Sequence, residues 1–167
     1  MQQLLQFKYL SIQIEKSESE VTYIFKGGVD ENFKHQEIPR IAAKNITFDL
    51  GEIDNFNSCG IREWVHFMKD MDTLGPIKFK NCSITMIDQI NLVPDTLGHA
   101  TITSFQAPYY CPTCPTGGEL VCSIDVQQHL SSIQKKTSPQ FDCPKCQQKL
   151  EFDALEESYF MFAEELN

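Results

Sequence analysis

Two C-x-x-C motifs constrain this chain more than any other feature. Cys111-Pro-Thr-Cys114 and Cys143-Pro-Lys-Cys146 are separated by 28 residues. Two intervening residues let both thiolates of a motif point to one side of a tight turn. Two such knuckles supply the tetrahedral four-sulfur shell that zinc accepts, at about 2.3 Å per bond. A four-thiolate shell is complete, which predicts one structural Zn2+ rather than a catalytic one. The long gap is compatible with strands or a loop between the knuckles, the organisation of a zinc ribbon. The segment between them offers few apolar residues, so the metal is expected to contribute most of the module's folding free energy, on the order of 10 kcal/mol. Cys122 and His129 are spare candidate ligands, read respectively as a small core residue and a surface residue. A redox role for either motif is the minority alternative.

The remaining composition sets the context. The chain has 167 residues, 41% hydrophobic and 22% charged, which suits one ordinary domain with a small appended unit: residues 1–107 and a module over 108–167. Seven cysteines, with no basic stretch leading into an apolar core at the start, are read as belonging to a reducing, cytoplasmic compartment. No apolar run is long enough for a membrane span. The net charge is −9, with six acids and no base after residue 150 and a balance of only +1 over residues 110–150. Nucleic acid is therefore a poor default partner. A zinc-ribbon nucleic-acid-binding protein stays as the alternative reading, resting on Lys135, Lys136, Lys145 and Lys149.

Before the cysteines, β-rich runs at 11–16 and 21–26 suggest an antiparallel hairpin. A short helix broken near Pro39 is expected next, with Phe33, Ile38 and Ile41 as its apolar residues. A buried strand follows at 45–50. A helix at 61–72 should bury Ile61, Val65, Met68 and Met71. Then come a strand at Ile77–Lys80, a helix at Ile84–Leu92 and a last strand at 100–105, with Ala107-Pro108 as the boundary to the metal module. Strands alternating with helices predict an α/β fold, a mostly parallel sheet backed by helices with the hairpin at one side. In the tail, Leu155, Tyr159, Phe160 and Phe162 either pack the module against the main sheet or form an exposed partner patch.

Phe56-Asn57-Ser58-Cys59-Gly60-Ile61 lies between the buried strand and the amphipathic helix. A hydroxyl there can cap the helix, and free N–H groups with the helix dipole favour an anion. A phosphate on Ser58 would place close to two negative charges on the surface of the turn. Cys59 at a helix start could alternatively act as a nucleophile, with His66 and His35 as the histidines nearest in sequence.

Residues 46–61, ITFDLGEIDNFNSCGI, resemble the central strand and phospho-acceptor turn of the STAS domain, as in bacterial anti-sigma factor antagonists. That pattern is an apolar strand, then aspartate, serine, serine or threonine, glycine and an aliphatic residue. Here Asn57 stands for the aspartate and Cys59 for the second hydroxyl residue. Gly27-Gly28-Val29-Asp30 is similar to the glycine–x–aliphatic–aspartate that ends the family's second strand. The resemblance spans roughly residues 7–107. It implies a non-enzymatic signalling module with a STAS-like mixed β-sheet, whose partner is a protein such as a serine kinase that is also an anti-sigma factor. Asp30, Asn57, Ser58, Cys59 and Gly60 would form the contact surface, and phosphorylation of Ser58 would release the partner. The four-cysteine ribbon would add a second docking site.

Overall fold

A computed structural model describes residues 2–114 and 118–166. The expected hairpin forms from β2 (Leu10–Lys16) and β3 (Glu20–Val29), antiparallel with Ile12 opposite Phe25. The Ser17 hydroxyl accepts the Glu20 N–H (3.2 Å) and the Ser17 N–H bonds the Glu20 carbonyl, closing the turn. A strand without a sequence signal, β1 (Gln2–Gln6), pairs antiparallel outside β2. Its QQLLQ has too weak an alternation to be read. β4 (Asn45–Phe56) lies parallel to β3 and runs twice as long as its apolar segment suggests. Register shifts at Ile24/Lys26 and Gly27/Gly28 allow the two strands to stay paired along their length. β5 (Ile77–Lys80) and β6 (Thr101–Ile102) complete a mixed six-stranded sheet in the order β1-β2-β3-β4-β5-β6.

The connection from β3 to β4 departs from expectation. In place of a helix broken at Pro39, only a three-residue 3-10 turn forms at His35–Glu37. Phe33 and Ile38 are drawn into the core on either side of that turn, which anchors the segment without a longer helix. The Tyr23 hydroxyl donates to the Pro39 carbonyl (2.7 Å) and accepts the Ile41 N–H (3.2 Å), so polar groups that a helix would have paired find a partner elsewhere.

α1 (Ser58–Asp72) and α2 (Ile84–Leu92) back the sheet. α1 is rotated from the expected stripe: Trp64, Phe67, Met68 and Met71 are buried, while Ile61 and Val65 are half-buried. The cause lies across the interface. Phe25, Phe48 and Phe79 line that side of the sheet, and the large rings of α1 bury the most area against them. Phe25 meets Trp64 edge-on at 5.2 Å and Phe48 stacks on Phe67 at 5.5 Å. The Trp64 indole N–H is satisfied by the Thr96 carbonyl (2.9 Å). On the other side of the sheet Thr22, Thr47 and Asp49 are half-buried and Lys26, Lys78 and Lys80 exposed, so that side stays polar.

The segment expected as one last strand is divided in two. β6 ends at Ile102, and after Thr103 the chain enters β7 (Ser104–Tyr110), the centre of a second, antiparallel sheet ordered β8-β7-β9. β8 is Glu119–Asp125 and β9 is Glu151–Phe152. Ala107 and Pro108 lie inside β7, opposite Cys122 and Val121. α3 (Val126–Gln134) follows β8, and α4 (Glu156–Tyr159) lies in the tail.

The expectation that this region has little to bury besides a metal site is overturned. Phe105, Tyr109, Ile124, Ile133, Leu150, Tyr159, Phe160 and Phe162 are buried and continuous with the main core. Phe105 meets Phe162 at 5.1 Å, and Phe152 stacks on Phe160 at 5.5 Å. The rings come from β7 and the tail, outside the polar stretch between the knuckles. The tail is also tied to α2: the Asn91 amide donates to the Tyr159 carbonyl (2.9 Å) and its oxygen accepts the Phe162 N–H (2.8 Å).

Candidate metal centre and the Ser58 turn

Cys111 leaves the end of β7 and Cys114 follows in the next turn. Cys143 and Cys146 lie in a narrow loop bracketed by an Asp142–Lys149 bridge. Inside it the Cys143 N–H donates to the Gln148 carbonyl and the Gln147 N–H to the Cys143 carbonyl, both at 2.8 Å. Gln147 has φ 60°, the left-handed conformation that folds such a loop back on itself. The two knuckles thereby face one another. Cys111 Sγ is 3.5 Å from Cys146 Sγ, and Cys114 Sγ is 3.7 Å from Cys143 Sγ. All four sulfurs lie within 4.8 Å of one another. Four ligands at about 2.3 Å from a tetrahedral ion would be separated by about 3.8 Å, so this group can hold one metal ion.

The protons on these thiols follow the same geometry. Cys143 is lowered to about 6 because the backbone N–H groups of Cys146 and Lys145 point at its sulfur. Cys114 is raised to about 12, chiefly by its contacts with Cys146 and Cys111. Four crowded sulfurs resist ionising together, so a cation entering the group displaces protons. Neither spare candidate joins them. Cys122 sits half-buried in β8, its thiol pushed up by burial, and His129 stands edge-on to Phe141 at 6.0 Å.

At the other candidate site, β4 ends at Phe56 and α1 begins at Ser58, so the strand feeds directly into the helix. Ser58 is nevertheless not the cap. Asn57 has the extended backbone that a cap requires (φ −108°, ψ 170°), and its Oδ1 accepts the Gly60 N–H at 2.8 Å. Ser58 is the first helical residue and is exposed, as is Cys59.

The five residues assigned to a contact surface divide into two kinds. Ser58 and Cys59 face solvent, and Asn57 is half-buried. Asp30 is largely buried and accepts from Asn32 N–H (2.8 Å) and Nδ2 (2.9 Å). Gly60 is buried against the end of β3, where an added Cβ would lie 1.9 Å from the Val29 carbonyl oxygen. Asp30 and Gly60 therefore build the turn from beneath.

Glu31 is a participant that sequence reasoning missed. The Asn57 amide donates to Glu31 Oε2 at 2.7 Å, which holds that carboxyl below its ordinary range. Only the tertiary fold brings residue 31 to residue 57, and no spacing in the chain signals it. For Cys59 as a nucleophile, the two histidines are engaged with each other. His35 Nδ1 is 2.9 Å from Glu63 Oε2, and its ring stacks on His66 at 6.1 Å. Of the lysines that support a nucleic-acid surface, Lys136 pairs with Glu164 (2.8 Å) and Lys149 with Asp142 (2.6 Å).

No family model, curated protein or solved structure matches this chain. Among the described residues, no helix is long and apolar enough to cross a membrane.

Proposed function

We propose that this protein is a non-enzymatic signalling module of the STAS kind, docking a partner protein through the start of α1 and switched by phosphate on Ser58. The observation that carries the reading is the exposed Ser58 as the first residue of a helix fed straight from the sheet. Charge added there meets the N-terminal end of the helix dipole and, through Asn57, a fixed carboxylate at Glu31. A partner that reads this turn would sense the change at once. The partner is a protein of the serine-kinase or anti-sigma-factor type. Nucleic acid is disfavoured by a net charge of −9. The metal in this reading is one structural zinc, since four thiolates suit a soft, tetrahedral ion and leave it no open position. The reading puts the protein in the reducing cytoplasm, where a thiolate-held metal is stable.

The experiment is affinity capture from the native cell with wild-type, Ser58→Ala and Ser58→Asp baits, together with phosphopeptide mapping. The reading expects phosphate on Ser58 and at least a tenfold loss of one captured protein with Ser58→Asp but not with Ser58→Ala. Identical capture by all three baits, with no phosphate at residue 58, overturns it.

A further inference from the structure

β1 (Gln2–Gln6) forms one edge of the six-stranded sheet, and among the described residues no strand pairs with its outer side. At the opposite edge β6 spans only two residues before the chain turns into the second sheet. Edge strands in natural proteins are guarded by charged side chains, proline or a bulge, because a row of free N–H and C=O groups recruits another strand. β1 has none of these guards. Its sequence is QQLLQ, its ladder with β2 runs without a register shift, and Leu4 is 66% exposed.

The ladder shows which groups are free. The Phe7 N–H donates to the Leu10 carbonyl at 2.7 Å, in line with the pairing of Leu5 with Ile12 and Gln3 with Ile14. Antiparallel pairs alternate between bonded and non-bonded, so Phe7, Leu5 and Gln3 turn their backbone groups towards β2. Gln2, Leu4 and Gln6 turn theirs outward. Leu4 also lies opposite Gln13, on the polar side of the sheet, while Leu5 lies opposite Ile12 and packs against the core.

The outward residues read Gln-Leu-Gln in either direction. We propose that β1 pairs antiparallel with β1 of a second copy of this chain, centred on Leu4, joining two sheets into one. About a two-fold axis Gln2 faces the partner's Gln6, Leu4 faces its own counterpart, and the outward N–H and C=O groups of all three are satisfied on both chains. Charge favours a second copy over a charged strand. In a protein of net charge −9, β1 carries no charge. The adjacent Glu15 is occupied by the amides of Gln13 (2.6 Å) and Gln2 (3.3 Å). Two like-charged molecules can therefore meet at this edge with no carboxylate opposing another.

The test is sedimentation equilibrium of the full chain over a concentration series, with amide exchange followed by NMR at each concentration. The mass should rise from 19.1 kDa towards twice that value. Amides of Gln2, Leu4 and Gln6 should slow with it, while those of Gln3 and Leu5 stay unchanged. Leu4→Pro removes an outward N–H and leaves the ladder to β2 its inward bonds, so it should remain monomeric. Leu4→Lys, which sets two ammonium groups against each other, should do the same with unchanged circular dichroism. A chain that stays monomeric throughout overturns the proposal. So does a dimer in which the Gln2, Leu4 and Gln6 amides exchange freely, or one that Leu4→Lys leaves equally tight.

Discussion

At Gly60 the helix and the end of β3 are so close that an alanine Cβ would sit 1.9 Å from the Val29 carbonyl oxygen. Backbone cannot yield as a flexible side chain would, so Gly60→Ala should destabilise the protein by about 2 kcal/mol or more, read as a lower urea midpoint. The neighbouring Asn57 does two jobs, capping Gly60 and holding Glu31. Asn57→Ala should cost about 1 kcal/mol through the cap alone. Glu31 adds a pH dependence with a definite sign. Its carboxyl is lowered in the folded state because the Asn57 amide donates to it, so the contact stabilises above the ordinary carboxylate pKa. That stability is lost as pH falls through the lowered folded value. Comparing wild type with Glu31→Gln in urea titrations across the acid range should show a shallower slope in the variant, the remainder coming from other lowered carboxyls such as Glu164. Residue identity alone pointed to this turn, yet it assigned the cap to Ser58. A serine, an asparagine and a glycine in sequence all suit a helix start, and only the backbone angles at Asn57 choose among them.

At the scale of elements, the metal centre and the second sheet separate. The knuckles hang from the end of β7 and from the 143–146 loop, whereas β7 itself is fixed by Phe105 and Tyr109 in a continuous aromatic core. Elemental analysis should find one zinc per chain, and Cys143→Ser should lose it. Chelation should then raise amide exchange around residues 111–114 and 141–150 while leaving β7, β8 and the first sheet protected. Global unfolding on chelation would instead restore the metal as the main source of stability. The four-cysteine group that can hold a metal was legible because each C-x-x-C turn is short-range geometry and two of them supply four sulfurs. The core of the same region was legible only in part: of the tail residues read either as packing or as an exposed patch, Tyr159, Phe160 and Phe162 are buried and Leu155 is exposed, while Phe105 and Tyr109 on the other side of the motifs carried no such signal. α1 makes the same point: its helical period was plain, but which stripe faced inward depended on Phe25, Phe48 and Phe79 waiting on the sheet.

At the scale of the whole molecule, the two sheets share one core and are tied by Asn91, which grips the tail at both Tyr159 and Phe162. Unfolding should therefore be a single transition by both fluorescence and circular dichroism. Phe160→Ala, which empties a fully buried site between Phe105, Phe152 and Phe162, should cost about 3–5 kcal/mol and shift the one transition rather than create a second. Two transitions would show that residues 104–166 fold apart from the sheet before them. The chain's own pattern determined the hairpin, the two helices that back the sheet and the four sulfurs that can share an ion. The hairpin, the helices and each C-x-x-C turn depend on residues within a few positions, where periodicity and spacing act directly; the pairing of the two knuckles across 28 residues followed from their matching chemistry. The tertiary structure alone decided that β6 stops at Ile102 and β7 joins another sheet and that residues 33–41 form only a single 3-10 turn, and it chose packing over an exposed patch for the aromatic tail. Those outcomes depend on which surfaces meet across the fold, and burial is a property of the pair rather than of either strand of sequence.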